Sequence, residues 1–109
     1  MTITFGIEMA SAAQPLEFSN ANAAAMLRMA GLPVEPCGSV AGEQLDAALR
    51  RLMRAVNVRS RRAAELRDRD NSEGWTDFGR SDEYLCRRGV ELVALFAQAQ
   101  RLASAVEWY

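Results

Sequence analysis

The most constraining feature of this sequence is a long amphipathic pattern near its carboxyl end. Apolar and small residues recur there at alternating steps of four and three, the spacing of one helix face. Ser81 is the predicted N-cap, and Asp82 and Glu83 follow where the helix dipole favours acids. About 24 residues would span roughly 36 Å, so we expect the stripe to exceed what its own chain can cover. The stripe consists of Leu85, Gly89, Leu92, Phe96, Ala99 and Ala103.

A second amphipathic pattern fills the middle of the chain. Ser39 is the predicted N-cap of this helix, and residues 31–38, with two prolines and two glycines, predict a rigid loop before it. Residues 58–70 are ambiguous. Their apolar residues could continue the helix, but the density of charge there leaves its end point open. The predicted apolar face consists of Leu45, Ala48, Leu49, Leu52, Met53 and Val56.

The amino-terminal residues alternate with a period of two. This pattern predicts a half-buried strand over residues 2–9, and residues 16–18 predict a short second strand that could form a hairpin with it. A short helix is predicted over residues 20–30, capped by Ser19 or Asn20 and ended by Gly31.

The carboxyl-terminal residues alternate again. Residues 106–108 predict a last strand, which could pair with an amino-terminal strand. The predicted fold is therefore α+β and helix-dominated, with three helices, the last one long, and a small antiparallel sheet. With 109 residues, we expect a single domain over residues 1–109.

Composition excludes much catalytic chemistry. The sequence has no histidine, and all 13 basic residues are arginine. The Ser-His-Asp triad, the common histidine zinc sites and the P-loop lysine are therefore absent. We expect no enzyme and no cofactor. Cys37 and Cys86 are too few for a disulfide framework and predict free, buried thiols, although one disulfide stays open.

The strongest charge feature is a run of arginines that begins on the second predicted helix and continues into residues 58–70. Six arginines follow one another with no acid between them, while Glu65, Asp68, Asp70 and Glu73 come directly afterwards. The run is either a solvated face neutralised by these acids or a surface for an acidic protein or nucleotide. Because no aromatic residue is interleaved and the net charge is −1, we do not expect nucleic-acid binding. The arginines are Arg50, Arg51, Arg54, Arg59, Arg61 and Arg62.

A second candidate site lies between Trp75 and Tyr84. Residues 71–80 predict a polar loop, which leads through Arg80 and Ser81 into the predicted start of the last helix. Free amides at a helix start bind anions, and Arg80 could clamp one while Trp75, Phe78 or Tyr84 stacks on a ring. The alternative is that these residues only cap and pack the helix.

Carboxylates are dense between residues 68 and 83, where several oxygen ligands could hold a hard metal ion. Their spacing matches no calcium loop, because no glutamate stands at the required twelfth position. We therefore predict no metal site. A metal-dependent nuclease is kept only as the third and least favoured functional hypothesis.

Short motifs run along most of the chain, apart from residues 58–75. They are Phe18-Ser-Asn-Ala-Asn-Ala, Gly31-Leu, Cys37-Gly-Ser, Gly79-Arg-Ser-Asp-Glu-Tyr-Leu with Arg88 and Leu92, and Val106-Glu-Trp. In these motifs the chain resembles a family of small uncharacterised phage and prophage proteins from GC-rich, actinobacterial-type hosts. The resemblance brings no function and no site residue with it. It implies a small accessory protein that binds host proteins or small signalling ligands.

These observations lead to two main functional hypotheses. The first is a non-enzymatic phage-type accessory protein, such as a host-defence inhibitor, that binds a host component through Arg50, Arg51, Arg54 and the Trp75–Tyr84 segment. The second is a protein that sequesters a nucleotide-like anion at Arg80.

We also expect a homodimer in which the last helix or the terminal aromatics, Trp108 and Tyr109, form the contact. Because no apolar run reaches the length of a membrane span, we expect no membrane association and a location in the host cytoplasm.

Overall fold

The computed structural model describes residues 2–8, 14–69 and 77–109, with the side chains of residues 2–8, 14–61 and 85–109. Within these residues, three helices and a four-stranded antiparallel sheet confirm the predicted α+β class. The elements in chain order are β1 (Thr2–Ile7), β2 (Leu16–Ser19), α1 (Asn20–Met29), β3 (Gly38–Val40), α2 (Gly42–Arg69), α3 (Asp77–Arg101) and β4 (Val106–Trp108).

The sheet has the strand order β2-β1-β4-β3. The predicted hairpin is confirmed, with Ile3 opposite Phe18, and β4 pairs with β1 as the alternation at the carboxyl end suggested. Strand β3 was not predicted, and it completes the sheet by pairing with β4. The carboxyl-terminal strand therefore lies inside the sheet, between two partners.

One face of the sheet carries the core. Alternate residues of β1 are buried, and Phe5 is fully enclosed. Its ring meets Phe18 edge-on at 5.5 Å and lies 6.2 Å from the ring of Trp108. The Trp108 indole N–H donates to the Glu35 carbonyl at 3.1 Å, so Trp108 seals the core edge, whereas Tyr109 is exposed.

Helix α1 has the predicted ends. The Ser19 side chain accepts a hydrogen bond from the Asn22 amide at 3.4 Å, which confirms the N-cap. Gly31 has a φ of +71°. The amide of Gly31 donates to the Arg28 carbonyl and that of Leu32 to the Leu27 carbonyl. This pair of bonds is a Schellman motif, which needs a left-handed residue at the position of Gly31.

Helix α2 differs from its prediction in two ways. Ser39 lies in β3 and is not the N-cap, because pairing with β4 holds residues 38–40 in extended form and the helix begins at Gly42. The helix continues without a break through residues 58–69. The predicted apolar face is buried except for Met53, which is 46% exposed.

Helix α3 begins at Asp77, four residues before its predicted N-cap. Ser81 is therefore inside the helix and does not cap it, and residues 77–80 are helical and not part of a loop. At the other end, Ala103 is exposed and lies beyond the helix with a φ of 51°, so the apolar stripe stops at Ala99.

Helices α2 and α3 pack closely against each other. A Cβ atom placed on Gly89 would lie 2.7 Å from Cγ2 of Val56, and the Cys86 thiol lies 3.7 Å from the Val56 carbonyl oxygen. Leu92, Phe96 and Ala99 are buried within the chain itself. The expectation that the stripe of α3 exceeds what its own chain can cover is therefore wrong for these residues, and the homodimer stays a prediction without that support.

Two further expectations concern cysteine and membranes. Cys37 and Cys86 are not joined in a disulfide, but Cys37 is exposed and Cys86 is only partly buried, whereas both were expected to be buried. Among the described residues, no helix combines the length and the apolar character that a membrane span requires.

Candidate functional site

The candidate site is a basic surface on α2, which we call the arginine surface. It consists of Arg28 at the end of α1 and Arg50, Arg51, Arg54, Arg59 and Arg61 on α2. Since Leu45, Leu52 and Val56 of the same helix face the core, the helical period turns the arginine positions outward. Arg50, Arg51 and Arg54, which the sequence singled out, are all exposed and lie on neighbouring turns.

Three grooves follow one another along this surface. The first lies between Gly31–Pro33 and the start of α2 and includes Glu43 and Arg51. The second, of about 440 Å³, runs between the end of α1 and α2 and shares Gly31 and Arg51 with the first. The third lies on α2 alone and shares Arg54 and Val58 with the second. The shared residues make the three grooves one continuous surface.

Gly31 brings α1 and α2 together at this surface. The side chain of Arg51 occupies the space beside Gly31, and its Cδ and Nη1 atoms would lie 2.8 Å from a Cβ atom placed there. A larger residue at position 31 would displace Arg51. The guanidinium thus lies near the end of α1, where the exposed carbonyl groups favour a positive charge.

Three arginines of this surface have no ion-pair partner among the described residues. Within the part of the chain that the structure describes, no acidic side chain forms an ion pair with Arg50, Arg51 or Arg54, and the second and third grooves contain no acidic lining residue. The sequence left open whether nearby acids neutralise these arginines. Among the described residues, no such ion pair forms at Arg50, Arg51 or Arg54.

Arg88 is an arginine of the same protein whose contacts give it a structural role. Its guanidinium pairs with Glu91, donates to the Glu17 carbonyl at 2.6 Å and lies 4.6 Å from the centre of the Phe18 ring. Arg88 therefore links α3 to the edge strand β2 and satisfies the Glu17 carbonyl on the unpaired side of that strand. Among the described residues, Arg50 and Arg54 make no ion pair, hydrogen bond or ring contact of this kind.

The other predicted site residues are not brought into this surface by anything the structure describes. Trp75 lies outside the described residues. Arg80, Ser81 and Tyr84 belong to the backbone of α3, but their side chains lie outside the described part. Because the helix starts at Asp77, the predicted anion site loses the N-cap on which it was built.

Several residues of the surface were missed from the sequence. Arg28, Met29 and Gly31 line the second groove, and Val58 joins it to the third. Gly31 was recognised only as a helix end, since no local pattern shows that α1 ends against the middle of α2. Among the described residues, no group of three histidine, cysteine, aspartate or glutamate side chains could hold a metal ion.

Fold and surface together define a small α+β domain with an arginine-lined helix face. The family model described as Domain of unknown function (DUF1840) matches residues 1–108, and the chain therefore belongs to this family. Membership agrees with the resemblance to a family without a known function and leaves the phage origin a prediction. No curated protein and no solved structure matches the chain.

Proposed function

We propose that this domain is a non-enzymatic binding protein that holds an acidic segment of a partner protein on its arginine surface. The observation that supports the proposal is that Arg50, Arg51 and Arg54, exposed on one continuous surface, form no ion pair with an acidic side chain among the described residues. Arginine suits this task because its planar guanidinium binds carboxylates through two parallel hydrogen bonds.

The length of the surface favours a protein partner over a small anion. Glu43 and Arg61 line its two ends and are separated along α2 by roughly 27 Å. A nucleotide would cover only part of this length, whereas a specific protein interface buries about 800 Å² on each partner. The grooves contain no described aromatic residue on which a base could stack, which argues against single-stranded nucleic acid.

A second candidate is the sequestration of a nucleotide-like anion. Arginines from two helices converge in the second groove, where Arg28 comes from α1 and Arg51 and Arg54 from α2. This place differs from the predicted one at Arg80. A thermal melt with ATP or GTP tests the candidate, because a ligand of the native state raises Tm by mass action.

The expected host partner and cellular compartment rest on the sequence alone. We take the partner to be a host component and the compartment to be the cytoplasm of the host cell. The partner chemistry, however, rests on the surface alone and does not depend on a phage origin.

The test is a binding titration with a fluorescein-labelled peptide of glutamate and alanine, followed by fluorescence anisotropy. We expect the double variant Arg50→Gln/Arg54→Gln to weaken binding at least about tenfold, since two charge-assisted contacts are lost. The matched control, Arg87→Gln/Arg101→Gln, removes the same charge from exposed positions of α3. It should change the Kd by less than about twofold if the surface is specific. Equal losses in the two variants would reduce the effect to net charge and contradict the proposal.

A further inference from the structure

The second groove is lined by arginines from two helices. Arg28 lies in the last turn of α1, whereas Arg51 and Arg54 lie on neighbouring turns of α2. The groove between the two helices has a volume of about 440 Å³. The third groove, in contrast, is lined by residues of α2 alone. Guanidinium groups from two helices can approach one bound group from different directions, which those of a single helix face cannot do.

The backbone around Gly31 holds two of these arginines close to each other. Because Gly31 has no Cβ atom, the Arg51 side chain lies against it, with Cδ and Nη1 2.8 Å from the place that a Cβ atom would occupy. The Gly31 amide donates to the Arg28 carbonyl at 3.0 Å, so the turn that carries Arg28 lies beside the Arg51 side chain. Arg54 follows Arg51 at the i, i+3 spacing of neighbours on a helix surface. A ligand therefore finds the arginines already brought together by the fold, and this lowers the cost of binding.

Neither the end of α1 nor a described acidic side chain neutralises these guanidinium groups. Three of the last carbonyl groups of α1 already accept hydrogen bonds from the backbone amides of residues 30–32. Among the described residues, Arg28, Arg51 and Arg54 form no ion pair, and no acidic side chain lines the groove. Glu43, the acidic residue in the lining of the first groove, lies about two turns from Arg51 along α2. The groove therefore presents three positive charges to a ligand.

The charge and the donor groups of the groove favour one kind of anion. A carboxylate has one negative charge and two oxygens, so a single guanidinium satisfies it through two parallel hydrogen bonds. A phosphate monoester carries a charge of about −1.5 to −2 at pH 7 and three acceptor oxygens. Three guanidinium groups match that charge and that number of oxygens, and clusters of arginine are a recurring means of recognising phosphorylated segments. The second groove therefore suits a phosphate monoester better than a carboxylate.

The neighbouring groove indicates how the phosphate is presented. The third groove shares Arg54 with the second and continues along α2 past Arg50 and Arg61. A segment with its phosphate in the second groove therefore places its flanking carboxylates along the third. No described aromatic side chain lines either groove, so the base of a nucleotide gains no stacking contact. A phosphorylated side chain within an acidic segment fits both grooves, whereas a nucleotide fits one.

We infer that the second groove binds the phosphate group of a phosphorylated side chain in the acidic segment of the partner protein. Arg28, Arg51 and Arg54 donate to the phosphate oxygens, and the carboxylates beside the phosphate pair with Arg50 and Arg61. The inference rests on the proposed function and adds the modification that the segment carries, since an unmodified acidic segment neutralises the charge of the second groove only in part.

The experiment compares two fluorescein-labelled peptides of glutamate and alanine that have the same length and nearly the same charge. One carries phosphoserine followed by alanine at its centre, and the other carries two glutamates there. Because the charges match, the arrangement of the phosphate oxygens is what distinguishes the peptides. We expect the native protein to bind the phosphoserine peptide at least about tenfold more tightly in fluorescence anisotropy titrations.

The variant Arg28→Gln removes the arginine that α1 contributes to the groove. It should reduce the preference for phosphoserine to less than about threefold, because a charge-assisted contact to the phosphate is lost. The matched control is Arg50→Gln, on the same surface but outside the second groove. The control should weaken the binding of both peptides alike and keep the preference, since Arg50 meets the flanking carboxylates. A full preference in Arg28→Gln would place the phosphate elsewhere and overturn the inference.

The remaining outcomes separate the inference from the proposed function. Equal binding of the two peptides to the native protein, with weaker binding in Arg50→Gln/Arg54→Gln, would overturn the inference and leave the proposed function standing. Binding of neither peptide would contradict both. Displacement of the phosphoserine peptide by ATP or inorganic phosphate, at lower concentration than by the same peptide without its label, would assign the groove to a free anion and also overturn the inference.

Discussion

Ala103 occupies a backbone conformation that alanine rarely adopts. Its φ is 51°, and it ends α3 in the same way that Gly31 ends α1. The Ala103 amide donates to the Gln100 carbonyl at 3.1 Å, and the Ser104 amide donates to the Ala99 carbonyl at 2.9 Å. The Schellman motif at this end is therefore complete, but the residue in its left-handed position carries a Cβ atom that crowds the following carbonyl group.

Ala103→Gly should raise the free energy of unfolding by about 0.5–1 kcal/mol, since glycine adopts the left-handed region without steric cost. Urea denaturation measures the change. The control is Ala94→Gly at an exposed position inside α3, which should lower stability by about 1 kcal/mol through helix propensity. A loss of stability in Ala103→Gly would show that the strain at this position is negligible.

Two residue-level predictions, the N-cap at Ser19 and the helix end at Gly31, were confirmed. Ser19 and Gly31 act on the amides and carbonyls next to them, so their roles follow from local chemistry. The same rule predicted Ser81 as the N-cap of α3. This prediction was wrong, because residues 77–80 before it are already helical. A capping residue shows where a helix can begin, but the flanking sequence decides whether it does.

At the scale of elements, a close contact lies between α2 and α3. Gly89 meets Val56 where the two helices approach each other, and the thiol of Cys86 lies over the same turn of α2. Glycine usually weakens a helix, so its presence in the middle of α3 is explained by the space that Val56 needs.

Gly89→Ala tests this contact. Helix propensity alone predicts a gain of about 1 kcal/mol, whereas the overlap with Val56 predicts a net loss of about 1–3 kcal/mol. We expect the loss, measured by chemical denaturation. In a Val56→Ala background the same substitution should cost less, because the overlapping methyl group is absent. A gain in stability in the native background would contradict the close approach of the two helices.

Strand β3 depends on a distant partner and was not predicted from the sequence. Strand β3 has three residues and exists because it pairs with β4, which follows it by more than sixty positions. Its residues Gly38 and Ser39 carry turn and capping signals and no alternation. In contrast, β1 and the apolar face of α2 are long enough to show their periods, and they were predicted correctly apart from Met53.

At the scale of the whole molecule, the described residues place a group of basic side chains on one surface. The chain has 14 acidic and 13 basic residues, yet six arginines gather on one side, and Arg50, Arg51 and Arg54 have no acidic partner among the described residues. Since exposed charges are screened by salt, binding to this surface should weaken as ionic strength rises.

The site was only partly visible in the sequence. Arg50, Arg51 and Arg54 form a run that composition and spacing reveal. Arg28, Met29 and Gly31 join them only because α1 ends against the middle of α2, and this packing has no local signature. Met53 was assigned to the core because its spacing fits both the buried face and the face of the third groove.

The most direct test of the arginine surface as a binding site is a ¹H–¹⁵N correlation titration of the labelled protein with the unlabelled peptide of glutamate and alanine. We expect shift changes concentrated at residues 28–31 and 50–61, with the amides of β1 and β4 unchanged. Shift changes centred on the sheet, or spread evenly over all exposed arginines including Arg87 and Arg101, would contradict it.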